Sequence, residues 1–189
     1  RERPEEPDVA GDPLEALPHH LLVDPGCGVG RAHREEGVPD DRLDELRDQV
    51  IAAHREGEEA VYIADGVYSM GGLCPVKEVL NLAREMRFHL YLDDAHGTSI
   101  FGERGEGFVV SQVAGELPDN LFVNYSLAKG FGCNGGGIVV STRRQEHLVR
   151  CFGQTYAFSG PLDFSIVGAA LAALQLHRDV VVVLDEAAA

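Results

Sequence analysis

The sequence predicts an α/β domain with a mainly parallel sheet covered by helices on both faces. Three observations lead there. Short apolar runs alternate with helical stretches of about a dozen residues, the order that buries a sheet between helices. The connections between successive runs contain a helix, as a parallel crossover requires. The chain of 189 residues is 44% hydrophobic, enough for one sizeable core and outside the range of collagenous, disulfide-stapled or disordered chains.

The first forty residues are rich in Pro, Gly, Asp and Glu, with a single short apolar run "LLV", and are expected to be irregular. From residue 41, "DRLDELRDQVIAAHREG" sets Leu43, Leu46, Val50 and Ile51 at helical spacing, with Gly57 available as a C-terminal cap. "AVYIADGV" follows as a strand, then "PVKEVLNLAREMR" as a helix with Pro75 at its start, then "FHLYLDD" as a second strand. Beyond these come the apolar runs "NLFVNYS" and "GGIVVST", the helix "RRQEHLVRCF" and the alanine-rich helix "DFSIVGAALAALQLH". No internal repeat is apparent.

Composition excludes several classes of function. A formal charge of −15 argues against a non-specific nucleic-acid or anionic-membrane binder, which needs clustered Lys and Arg. The four cysteines, Cys27, Cys74, Cys133 and Cys151, lie far apart without a CxxC pair, so they support neither a zinc knuckle nor a disulfide framework. No window is apolar for the roughly 18 residues of a membrane span, and "RERPEEPDVAGDP" has no signal-peptide core. The expectation is a cytoplasmic protein with reduced thiols.

In a parallel α/β sheet, ligands bind at the carboxyl ends of the strands. The polar residues there are Asp65 and Ser69 after the first run, Asp93, Asp94 and His96 after the second, and Ser126 and Lys129 after the third. A lone lysine in such a loop is commonly solvated. Lys129, one of only two lysines in the chain, is flanked by Leu127, Ala128, Gly130 and Phe131. Those neighbours predict poor solvation, the setting that an amine attacking a carbonyl requires. The other lysine, Lys77, falls in an amphipathic helix and reads as a surface residue.

Asp93 and Asp94 read on their own as strand-end carboxylates capping the next turn, and with His96 they are weak candidates for a metal set. No GxxxxGK[ST] loop exists to make them part of a nucleotide motor. An acid facing an imine-forming lysine has another use, holding a pyridine nitrogen protonated.

Four stretches in this order, "DGVYSMGGLCPVKEV", "YLDDAHGTSIFGERGEG", "SLAKGFG" and "YAFSGPL", resemble the α-oxoamine synthases, a branch of the class II pyridoxal-phosphate aminotransferases. The resemblance spans roughly residues 41–177. It implies the large domain of a fold-type I pyridoxal-phosphate transferase, with residues 41–178 forming its central part. Residues 1–40 would be an irregular N-terminal segment, and 179–189 a tail or the start of a connecting helix.

Position by position, the resemblance makes Lys129 the lysine that binds pyridoxal 5'-phosphate covalently and Ser126 a phosphate contact. Asp93 becomes the acid paired with the pyridine nitrogen, and His96 the histidine bonded to the ring oxygen, with Ser69 close to that oxygen. A ring-stacking histidine belongs upstream, where His20 has about the right separation. Asp65 stands where many members carry Glu, and Gly160 where they carry a threonine.

The implied activity is condensation of an amino acid with an acyl-CoA thioester, with loss of carbon dioxide, to give an α-amino ketone in a homodimer whose sites lie at the interface. An aminotransferase on the same scaffold remains an alternative, and so does an inactive fragment, because the family's glycine-rich phosphate loop and small domain are not recognisable.

Overall fold

Apolar side chains at alternate positions and polar residues at the ends build the sheet in strand order. The computed structural model describes residues 20–23, 40–159 and 162–179. Five strands, β1 (His20–Val23), β2 (Ala60–Asp65), β3 (His89–Asp93), β4 (Leu121–Ser126) and β5 (Gly136–Val139), lie in the order 1-2-3-4-5. The first four are mutually parallel, and β5 returns antiparallel to β4.

β1 corrects the expectation of an irregular segment before residue 41. Only four residues long, it gains strand structure by pairing with β2, a partner that local composition does not reveal. Residues 1–19 and 24–39 lie outside the described residues.

The helices are α1 (Asp40–Arg55), α2 (Val76–Met86), α3 (Phe108–Ser111), α4 (Arg143–Phe152), α5 (Gln154–Ser159) and α6 (Phe164–Asp179). α1 buries Leu46, Val50 and Ala53, one stripe at helical spacing, and Gly57 follows it at φ +79, where a residue without Cβ is favoured. Ile51 is only half-buried. α2 buries Val76, Val79, Leu80, Leu82 and Ala83, and leaves Lys77 exposed, as the sequence predicts.

Against these stripes the sheet presents Ala60, Tyr62 and Ala64 from β2, Leu90 and Leu92 from β3, and Leu121 and Val123 from β4. Phe88 and Val109 complete the core. The intervening side chains, such as Val61, Ile63 and Tyr91, are half-buried. The mainly parallel α/β class therefore stands, with the core on one face of β2–β4. No helix among the described residues is long and apolar enough to cross a membrane.

Candidate active site

Parallel register brings Asp65, Asp93 and Asn124 side by side at the carboxyl ends of β2, β3 and β4. Each strand then turns into a loop with defined backbone bonds, and these loops carry the candidate residues. After β3, the Asp94 N–H donates to the Asn124 carbonyl at 2.8 Å, and the Asp94 carbonyl accepts from Gly97 N at 3.1 Å and Thr98 N at 2.8 Å. His96 sits between these anchors, half-buried.

Beyond β4, residues 127–135 close the hairpin to β5. Leu127 N donates to the Gly135 carbonyl at 2.9 Å, Cys133 N to the Leu127 carbonyl at 2.8 Å, and Gly132 N to the Lys129 carbonyl at 2.9 Å. The lysine loop is thus a built turn. Gly132 and Gly135 take φ of +74 and +116 in it, values that other residues rarely adopt.

The two loops meet. Lys129 Nζ lies 2.7 Å from His96 Nε2. A bond of that length needs one hydrogen and one lone pair, so an ammonium on a neutral imidazole satisfies it and a doubly protonated pair does not. Gly130 presses on the same loop, where an added Cβ would stand 3.0 Å from the Thr98 carbonyl and 3.1 Å from Ile100.

Asp93 is fixed at both oxygens. Oδ1 accepts from Ala95 N at 2.8 Å and Oδ2 from Asn124 Nδ2 at 2.7 Å. Each carboxylate oxygen retains a lone pair for a further donor. Nearby, burial first and the Asp93 charge second push the Tyr91 hydroxyl up, keeping it neutral.

Asp94, only 1% exposed, accepts from Val109 N at 3.0 Å, and burial raises its pKa from 3.8 to about 6. Bonds to the Val109 and Phe108 backbone oppose that rise, and the Asp93 charge adds to it. Both aspartates therefore serve as caps of the turn and of α3. No group of three His, Cys, Asp or Glu suited to a metal occurs among the described residues.

The remaining candidates fall into place unevenly. Ser126 is half-buried at the end of β4, its Oγ accepting from Ala128 N at 3.1 Å. Ser69 is exposed in the turn after β2, and the structure does not join it to the His96–Lys129 pair. Lys129 is exposed, which corrects the expected desolvation: its immediate neighbours Ala128 and Gly130 are themselves exposed, and Leu127 and Phe131, half-buried, do not enclose it.

His20 opens β1 beside Ala60, five residues of register before the Asp65 edge, or ~16 Å along the strand. That backbone position is at the amino end of the sheet, so the ring-stacking role is not carried forward, and its side chain lies outside the described residues. Gly160 lies outside them as well. Asn124 was missed in the sequence, although a polar residue inside the apolar run "LFVNYS", in register with Asp93, is a usable signal.

Residues 42–186 match the family described as aminotransferase class I and II, and the chain belongs to that family. Its similarity falls in the α-oxoamine synthase branch, as the four motifs imply. An 8-amino-7-oxononanoate synthase of Arabidopsis thaliana is 30% identical over 168 residues, 87% of this chain and 34% of the relative. One from Mycolicibacterium paratuberculosis is 33% identical over 87% of this chain and 42% of its own length. A solved structure of SPT superposes with a TM-score of 0.65 at 25% identity, over 84% of this chain and 42% of that one. The chain thus spans well under half the length of these relatives.

Proposed function

We propose that this chain carries the central part, residues 41–178, of the cofactor domain of a pyridoxal-phosphate-dependent acyltransferase resembling 8-amino-7-oxononanoate synthase. The reaction is condensation of an amino acid with an acyl-CoA thioester, releasing carbon dioxide and coenzyme A and leaving an α-amino ketone. The observation that carries this reading is the amine–imidazole pair, Lys129 Nζ at 2.7 Å from His96 Nε2, beside the fixed carboxylate of Asp93.

The donor set fits the cofactor's chemistry. It holds an accessible amine for a carbonyl carbon, a carboxylate with free lone pairs for a protonated ring nitrogen, an imidazole for a ring oxygen, and the Ser126 hydroxyl for a phosphate. When bound, pyridoxal 5'-phosphate supplies an electron sink that acidifies the Cα proton of an amino acid.

The chain's own residues do the rest. Lys129 takes that proton on Nζ and returns it. His96 holds Nζ in place through its ring nitrogen. Asn124 and the Ala95 N–H keep the Asp93 carboxylate aimed, so its charge requires no rearrangement during reaction. Ser69 is assigned a supporting contact near the ring oxygen, on the resemblance of its motif alone.

The proposed assembly is a homodimer, supported by large exposed apolar side chains at Phe158, Phe164 and Leu171. A cytoplasmic setting is supported by Cys74, Cys133 and Cys151, which form no disulfide among the described residues. The charge of −15 argues against non-specific binding to nucleic acid.

The first test is absorbance of the chain with pyridoxal phosphate, beside Lys129→Ala. A visible band that survives desalting in the parent and is absent from the variant supports the site; no band in either refutes it. Free coenzyme A thiol released from an acyl-CoA and an amino acid then identifies the acyltransferase, whereas accumulating pyridoxamine phosphate identifies an aminotransferase. Light scattering that gives only the monomer mass with cofactor present rejects the dimer.

A further inference from the structure

We infer that Asp94 is the positioning residue that sets His96 against Lys129, by pinning the loop of residues 94–107 between the end of β2 and the start of α3. The inference rests on the reading of Lys129 and His96 as the reactive pair.

Three of the four hydrogen-bonding groups of Asp94 are tied, to β4, to its own loop and to α3. Its N–H reaches β4 through the Asn124 carbonyl, and its own carbonyl takes the Thr98 N–H at 2.8 Å and the Thr98 hydroxyl at 2.7 Å. Oδ2 takes the Val109 N–H of α3 at 3.0 Å. Oδ1 is buried without a hydrogen-bond partner among the described residues.

The surrounding backbone is cut to this carboxyl. A Cβ added at Gly97 would stand 2.1 Å from Oδ1, and one at Gly107 2.2 Å from Oδ2. From β2's side, a Cβ at Gly66 would stand 2.9 Å from Oδ1. Three chain segments therefore close on one side chain with only Cα hydrogens between, contacts of the weak C–H···O kind. Oδ1 has no space for a second side chain or a cation. It has space for a proton, consistent with the raised pKa of this group.

His96 lies two residues from Asp94 and one from Gly97, so both its flanks are set by this pin. Farther along the loop, Ser99 is held at φ +74, an uncommon value for a residue with a Cβ, and packs beside Gly130, the residue following Lys129. The loop that positions the imidazole thus also touches the loop that positions the amine. Asp94 contacts neither reacting atom and acts through the backbone.

The test is the nuclear Overhauser contact between the His96 ring protons and the Lys129 side chain in the cofactor-free chain, assigned with His96→Gln and Lys129→Ala, and compared among parent, Asp94→Ala and Asp94→Asn. Asp94→Ala, shown to be folded by circular dichroism, is expected to lose most of that contact, and Asp94→Asn, which keeps an acceptor for Val109 N–H, to retain it. A folded Asp94→Ala chain with reduced stability and a parental His96–Lys129 contact overturns the inference, since a merely structural role gives that result.

Should Asp94→Ala not fold, Gly66→Ala decides: its methyl would stand 2.5 Å from Val109 Cγ2 and 2.9 Å from Oδ1, so it presses on the Asp94 carboxyl and on its donor residue while leaving the acceptor in place, and a parental His96–Lys129 contact in that variant also overturns the inference. Cofactor enters none of these measurements, so a chain that forms no visible band with pyridoxal phosphate can still pass, and the two readings fail separately.

Discussion

Asp94 binds its proton more tightly in the folded chain than in the unfolded one, because burial raises its pKa from 3.8 to about 6. Between those values the native state therefore holds more protons than the unfolded state, and stability must fall as pH rises. Its contribution is complete below pH 4 and lost above pH 6, a difference of up to about 3 kcal/mol. Other carboxylates, such as Glu106 with its lowered pKa, contribute with the opposite sign, so the single-site comparison isolates the effect. Urea midpoints from pH 4 to 7 should decline more steeply for the parent than for Asp94→Asn; equal slopes refute the assignment. Asn124 offers a second measurement. Asn124→Ala removes a charge-assisted bond to Asp93 at 2.7 Å, and a loss of ~1–2 kcal/mol is expected, with weaker retention of pyridoxal phosphate on desalting. At this scale the sequence singled out the candidates that the strand ends carry, because Asp93, His96, Ser126 and Lys129 all stand at or just after the ends of apolar runs. It did not show their surroundings. Lys129 has apolar neighbours along the chain, but solvation depends on neighbours in space, and the hairpin turn leaves it open.

Helix α4 is an element whose local signals are complete and whose packing is not. Thr142 and Gln145 form a reciprocal capping box, with Gln145 N donating to Thr142 Oγ1 at 3.2 Å and Thr142 N donating to Gln145 Oε1 at 3.0 Å. Glu146 adds ion pairs to Arg143 and Arg150, and these exposed pairs lower its pKa. No residue of α4 is buried. Thr142→Ala should therefore weaken the helix by ~1 kcal/mol locally, seen as faster amide exchange over residues 143–152, while the global urea midpoint stays within error. A global loss of that size would show that α4 is coupled to the core. The elements legible in the sequence are those, like this helix, specified by local signals: Pro75 ahead of α2, Gly57 after α1, and apolar runs for β2, β3 and β4. β1 escaped because four residues within a Pro- and Gly-rich stretch become a strand only through pairing with β2.

Across the whole molecule, stability is concentrated in β2–β4 and the helices α1 and α2 packed on them. Leu90 and Leu121 are 0% exposed, and the largest buried side chains cluster around them. α6 is its opposite. Although its sequence is apolar and alanine-rich, none of residues 164–176 is buried, and Phe164 and Leu171 are 94% and 63% exposed. A helix with so little covered surface gains little from tertiary packing, the main source of helix stability in proteins. Leu90→Ala should then cost ~2–5 kcal/mol, the range for a buried leucine that leaves a cavity. Leu171→Ala should change stability by no more than ~0.5 kcal/mol, the usual limit for a surface substitution. Both are to be measured by urea unfolding at concentrations where light scattering gives the monomer mass. Repeating the pair where a dimer forms extends the comparison: an interface that covers α6 makes Leu171→Ala costly there, with a cost that vanishes on dilution, while the Leu90→Ala cost remains at every concentration. A Leu171→Ala penalty equal to that of Leu90→Ala in the monomer would mean that α6 is packed within the single chain, and that the division into core and periphery is wrong.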